Sequence, residues 1–317
     1  MSGATDADGF ARRIIAWHQH HGRKDLPWQR DPSPYRVWVS EIMLQQTQVA
    51  AVIPYFHRFM ERFPDIESVA GAPLDAVLHL WTGLGYYARA RNLHRAAQII
   101  RDEHAGELPR DIDALRRLPG IGRSTAGAIL ALALGRCHPI LDGNVKRVLS
   151  RYHALEGWPG EPRVEARLWD LALGHTPQVQ ISRYTQGMMD LGATLCTRTH
   201  PACDRCPLAA DCTAYARSEQ HLYPAPRPRK VLPVRRSKVI ILKNAEGCVL
   251  LERRPPTGVW GGLWHFPECP AEADPHEWCA EHLRCEIGDA QTWPGFRHSF
   301  THFHLDITRN FSLSPGK

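Results

Sequence analysis

The sequence predicts a mainly α-helical N-terminal region with a cysteine loop, followed by a small, shortened α+β domain. Three observations carry this. From Arg36 to about Gly174 apolar residues recur at helical spacing, and no run alternates as a strand does. Four of the nine cysteines fall within the seventeen residues Cys196–Cys212. Beyond the basic, proline-rich stretch Tyr223–Arg236 the pattern becomes strand-like.

Composition bounds the reading. At 317 residues the chain suits two or three compact units. A formal charge of +6 fits a polyanionic partner, though many enzymes share it. Met1–Gly9 is small and acidic, unlike a secretory leader, and the longest apolar run, Ala126–Leu134, is too short for a bilayer. A soluble, cytoplasmic protein with no membrane partner is expected. In a reducing compartment the clustered cysteines argue for metal instead of disulfides, leaving Cys137, Cys248, Cys269, Cys279 and Cys285 as free or core thiols.

The elements follow in order. Met1–Asp8 reads as a disordered tail, and Gly9–His20 as an amphipathic helix with Phe10, Ile14, Ile15 and Trp17 on its apolar side. Gly22–Tyr35, with three prolines, is a loop. Breaks at Phe63-Pro64, Ala72-Pro73, Leu108-Pro109 and Pro119-Gly120 divide the helical region. Leu118-Pro-Gly-Ile-Gly-Arg-Ser-Thr-Ala126 is a tight turn opening a small-residue helix. Bare N–H groups at Gly120, Gly122 and the helix start form a site for a phosphate oxygen. Ser182–Ala193 is a helix leading into the cysteine loop. Ser237–Leu242, Cys248–Arg253 and Phe303–Phe311 read as strands, with a turn at Asn244–Gly247.

Two carboxylates sit in unlike settings. Glu41 lies inside the apolar run Val37–Leu44, where burial raises a carboxyl pKa and keeps a proton available; an exposed face beside Ser40 and Gln45 is the plainer alternative. Asp142 stands before Gly143-Asn-Val145 at a helix N-cap, where backbone donors lower its pKa; a simple cap is again the plainer alternative. A protonated Glu beside an ionised Asp is the pair used to break glycosidic bonds through a cation-like transition state. The spacing Cys196-x6-Cys203-x2-Cys206-x5-Cys212 converges four thiolates on zinc or an iron–sulfur cluster. The unequal gaps suit a cubane better.

On these motifs, with Leu26-Pro-Trp-Gln29, Ser40–Gln48, Trp81–Asn92 and Met188–Ala193, the chain resembles the adenine DNA glycosylases of the MutY type. These lie within the helix–hairpin–helix glycosylase superfamily. The resemblance implies a glycosylase region over residues 1–222, with a six-helix module at about 30–135 and an iron–sulfur module from 10–29 and 136–222. A linker at 223–236 and a Nudix-like lesion-recognition domain at 237–317 follow. It implies removal of adenine opposite 8-oxoguanine or G from duplex DNA in base excision repair, by a nucleoid-associated, monomeric protein. Glu41 would be the acid/base, Asp142 the stabiliser of the sugar cation, and Asn144 a positioning group. Cys196, Cys203, Cys206 and Cys212 would hold a [4Fe–4S] cluster. Gln46, Thr47, Leu84, Tyr86, Gly120, Gly122 and Ser124 would meet DNA, and Phe300, Thr301 and His302 would read 8-oxoguanine. Wedging residues suit a base that must leave the stack before reacting.

Ser124 stands where endonuclease III-like relatives carry a lysine whose amine attacks the sugar. Serine cannot form a Schiff base, so base removal without strand cleavage is expected. The competing readings, an endonuclease III-like lyase on oxidised pyrimidines and a non-catalytic iron–sulfur DNA-binding protein, are opposed by Ser124 and by the carboxylate pair respectively. Arg254–Trp264 carries the Nudix likeness. Glu272, Glu277 and Glu281 are too scattered for a metal-binding Nudix box, which argues against pyrophosphatase activity.

Overall fold

The computed structural model describes residues 3–228 and 231–313. They form two compact units that divide after Pro228.

The first unit is helical. It begins with α1 (Gly3–His21), which reaches back over most of the stretch expected as a tail; Met1 and Ser2 lie outside the described residues. α2 (Pro34–Leu44) starts where the Ser33 hydroxyl accepts from Arg36 N–H and Pro34 presets the first turn. α3 (Val49–Arg62), α4 (Ile66–Ala70), α5 (Leu74–Trp81) and α6 (Ala88–Glu103) follow, α4 being capped by the Asp65 carboxylate. Trp38, Phe56, Phe59, Phe63 and Trp81 are fully buried among these helices. Each side chain of that size contributes roughly 2–3 kcal/mol of transfer free energy.

α7 (Ile112–Arg117) leads through the Leu118–Gly122 turn into α8 (Arg123–Leu134). Small residues on α8 are required by packing. A Cβ at Gly127 would sit 2.5 Å from the Pro139 carbonyl oxygen, so the chain returning toward Asp142 lies directly on the helix. α8 stops at Gly135, whose φ of 62° is left-handed. α9 (Gly143–Tyr152), α10 (Pro162–His175) and α11 (Ile181–Thr194) build a second core with α1 around Phe10, Ile14, Leu149, Leu168, Met188 and Leu191. α12 (Thr213–Ala216) closes the cysteine loop.

The second unit is a four-stranded sheet in the order β4–β1–β6–β5 with a two-stranded ribbon, β2–β3. Its strands are β1 (Val234–Lys243), β2 (Glu252–Arg253), β3 (Trp264–His265), β4 (Glu268–Pro270), β5 (Gln291–Ser299) and β6 (His304–Leu313). A short helix, α13 (Pro275–Trp278), lies between β4 and β5. β1 runs parallel to β6, with Val234 opposite His304 and Lys243 opposite Leu313. The strand starts within the stretch expected as linker. The expected turn is present: Asn244 Oδ1 accepts from Cys248 N–H, and Gly247 has a φ of 86°. Of the expected strand Cys248–Arg253, only Glu252–Arg253 and a bridge at Val249 pair. β5 was not anticipated, because Pro294-Gly295 interrupts its pattern. The strand tolerates them because it is an edge, with its pairing to β6 shifted between Trp293 and Phe296.

Candidate active site

The two carboxylates come together. Glu41 lies in the last turns of α2, and Asp142 caps α9, to which the chain returns across α8. Burial first, and the Asp142 charge second, push the Glu41 carboxyl up to about 8. As a residue Glu41 is half-buried, with enough protein packed about its carboxyl for burial to be the larger cause of that shift.

Asp142 differs from expectation. Its pKa is raised, because burial outweighs the N-cap donors that pull it down. Those donors still separate the pair. Val145 N–H donates to Oδ1 at 2.7 Å and Asn144 Nδ2 faces Oδ2 at 3.5 Å, with the Arg147 cation adding to the same effect. The donors favour charge on Asp142, and the neighbouring charge keeps the proton on Glu41.

Asn144 is itself fixed. Arg147 Nη2 donates to its Oδ1 at 2.8 Å and to the Gly192 carbonyl at 2.5 Å, while Nε donates to the Cys196 carbonyl at 2.7 Å. One guanidinium thus ties α9 to the end of α11 and the first cysteine. Gly192 allows this approach, since a Cβ there would meet Asn144 Cβ at 2.5 Å.

The hairpin abuts the pair. Gly120 is left-handed, with φ 81°, and a Cβ on it would lie 3.0 Å from Asn92 Cβ. Gly122 is an ordinary extended N-cap of α8 and is exposed. Ser124 Oγ accepts from the Leu141 N–H at 2.9 Å, which fixes the residue before Asp142. Gln45 Nε2 reaches the Gly120 carbonyl and Thr125 Oγ1, both at 3.4 Å, joining α2 to the hairpin.

Gln46 and Tyr86 are exposed and both hold left-handed backbone, at φ 59° and 50°. Such conformations are uncommon for these residue types and place both residues at tight turns. Thr47 is half-buried. Leu84, expected at a DNA surface, is buried, with 7% of its surface exposed against 49% for Tyr86; it supports the turn from below. The buried Arg89 binds the two turns together. Its Nη1 donates to the carbonyls of Ile42, Met43 and Gln45, and its Nη2 to those of Leu84 and Gly85.

Sequence reasoning missed a cleft that begins one helical turn from Glu41 along α2. Val37, one helical turn before Glu41, lines it with Trp28, Arg23, Gln186 and His18. At its wall the fully buried Asp190 accepts from Arg23 N, Nε and Nη2 at 2.6–2.8 Å and from Gln186 Nε2 at 2.9 Å. An acid in the apolar stretch Met188–Ala193 was the available signal.

Cys196, Cys203, Cys206 and Cys212 line one apolar cavity with Leu191, Leu195, Leu208 and Tyr152. Turn bonds from Cys206 N–H to Cys203 O and from Cys212 N–H to Ala209 O wrap the loop around it. Among the described residues no three metal-binding side chains are already drawn to ligand distance. The donor set nonetheless fits a thiolate-bound metal group. Four soft donors face an apolar space, and Arg151 Nη1 lies 3.4 Å from Cys196 Sγ.

In the second unit Phe300, Thr301 and His302 occupy the β5–β6 turn, which Phe300 N–H closes onto the Phe303 carbonyl at 2.9 Å. Thr301 and His302 are exposed, and Phe300 packs on Trp260.

Residues 39–172 match the HhH-GPD superfamily of base excision DNA repair proteins, and residues 238–316 match the NUDIX domain. An adenine DNA glycosylase of Buchnera aphidicola subsp. Acyrthosiphon pisum is 42% identical, over 94% of this chain and 85% of that protein. The protein of the same description from Buchnera aphidicola subsp. Schizaphis graminum is 40% identical, over 94% and 86%. Among solved structures, a thermostable thymine-DNA glycosylase superposes with a TM-score of 0.61 at 26% identity, over 67% of this chain and 98% of that one. Fold and site thus define a class, the helix–hairpin–helix base excision repair proteins. Within that class the chain belongs to the adenine DNA glycosylase family. Among the described residues no helix is long and apolar enough to cross a membrane.

Proposed function

We propose that this protein removes adenine from duplex DNA by hydrolysing its N-glycosidic bond, acting on adenine opposite 8-oxoguanine or G and leaving an abasic site. The observation that carries this is the carboxylate pair: Glu41 pushed up to about 8 beside an Asp142 held by backbone donors.

The neutral Glu41 gives its proton to the adenine imidazole edge as the C1′–N bond breaks and its electrons leave with the base. Asp142 stabilises the sugar cation, and Asn144 holds the Asp142 carboxylate in place. The Glu41 carboxylate then takes a proton from the water that adds to C1′, which restores the acid. Ser124 offers no amine, and its hydroxyl already serves the Leu141 N–H, so no Schiff base forms and the strand stays whole.

The hairpin N–H groups at Gly120, Gly122 and Ser124 grip a backbone phosphate. Gln46 and Tyr86 enter the duplex beside the extruded adenine with Thr47 near them, and Leu84 braces Tyr86. The cleft lined by Trp28 and Val37 receives the base. Cys196, Cys203, Cys206 and Cys212 hold a [4Fe–4S] cluster, which when bound folds the loop around one centre and supplies no step of the reaction. Phe300, Thr301 and His302 read the 8-oxoguanine.

One duplex set tests this: A opposite 8-oxoguanine, A opposite G, and thymine glycol opposite A. Alkali-dependent breaks at the adenine, with none at thymine glycol, support the reading. Release of the oxidised pyrimidine would replace it with the lyase reading.

A further inference from the structure

Three of the scattered cysteines converge in the core of the second unit. Cys269 on β4 and Cys279 after α13 are buried, and the half-buried Cys285 packs against them beside Ile240 and Leu242 of β1. The backbone explains the convergence. The chain after α13 widens into a π-turn over Cys279–Leu283, and Arg284 then takes a left-handed φ of 53°. That reversal folds Cys285 back over the turn it has just left. Its N–H faces the Cys279 carbonyl at 3.4 Å, and the Cys279 thiol is placed to donate to the Cys285 sulfur. The reversal thus packs both side chains into one small cluster, the closeness that a disulfide requires.

We propose that Cys279 and Cys285 form a reversible disulfide, a redox-modification site of the second unit that acts outside the glycosylase chemistry. Cys285 is the entry thiol, because it alone of the pair has exposed surface. As a thiolate it attacks a low-molecular-weight disulfide such as oxidised glutathione. A new S–S bond forms, one glutathione thiolate leaves, and the Cys285 proton goes to solvent. Cys279 then loses its proton and attacks the Cys285 sulfur, which expels the second glutathione thiolate. The pair is oxidised by two electrons, and one glutathione disulfide is reduced to two thiols. Contact between the thiols makes the second step intramolecular, so it outruns release of the first adduct. Burial raises both thiols, Cys279 up to about 11, so attack begins through the small thiolate fraction of Cys285, the one that reagents can reach. A bridge that needs an oxidising load suits a compartment in which resting thiols are reduced.

The full-length protein, incubated with oxidised and reduced glutathione at graded ratios, then thiol-blocked and digested, tests the proposal by mass mapping. A Cys279–Cys285 linked peptide is expected, lost on treatment with dithiothreitol, with Cys269 still free. Cys285→Ser should abolish the link and leave Cys279 unmodified. The exposed Cys248 reports that the oxidant was active. A persistent glutathione adduct on Cys285 with Cys279 free would overturn the proposal. So would a bridge from Cys269, or an unmodified Cys285 where Cys248 has reacted fully. The wild-type map decides among these even if the variant fails to fold.

Discussion

Replacing Glu41 by Gln should make the protein more stable while disabling it, by an amount that depends on pH. In the unfolded chain Glu41 titrates near its ordinary value of 4.5, and in the fold at about 8. Between those values the folded state holds a proton that the unfolded state has released, so stability falls as pH rises through the window. One pKa unit corresponds to about 1.4 kcal/mol, which gives roughly 3 kcal/mol at pH 7 and about 5 kcal/mol above pH 8 as upper bounds. Solvent screening at the half-buried Glu41 reduces the figure at pH 7 to about 2 kcal/mol. Glutamine is neutral at every pH and matches the shape of the protonated acid. Urea unfolding of both proteins at pH 4.5, 7 and 8.5 measures the difference. The gap should be near zero at the lowest pH and widen toward the highest, with Glu41→Gln the more stable. A constant gap, or a less stable variant at pH 8.5, would refute the argument from burial and like charge.

Further expectations follow from the same geometry. Single-turnover adenine release should decline above about pH 8 as Glu41 loses its proton, approaching tenfold per pH unit; a rate unchanged to pH 10 would remove Glu41 as the acid. Ser124→Ala leaves the Leu141 N–H without its acceptor and should destabilise the protein by about 1–3 kcal/mol, read by urea unfolding. Gly192→Ala drives a Cβ into Asn144 and should slow base release at least tenfold while DNA affinity, measured by gel shift, stays within about twofold.

Much of this site was legible in the sequence because its signals are local. The Asp142 cap, the left-handed Gly120 turn and the cysteine spacing each sit within a few residues of what they organise. What was not legible depends on distant partners. The direction of the Asp142 shift needed the depth of its burial, which no cap motif encodes. Leu84 reads as a turn residue but is pinned inward by the turn that Arg89 holds. Arg89, Arg147 and Arg151 each gather carbonyls far apart in sequence, and an arginine with such partners looks like any surface cation until the fold is known. β5 hid behind Pro294-Gly295, which an edge strand accepts and a central one would not.

The central claim is that Glu41 delivers the proton that lets adenine leave. Base release from a duplex with A opposite 8-oxoguanine, measured under single-turnover conditions for the wild type and Glu41→Gln alongside DNA affinity, tests it most directly. The account predicts release slowed by at least about a thousandfold in the variant, with affinity retained. Release within tenfold of the wild type by a variant that binds DNA normally would contradict it.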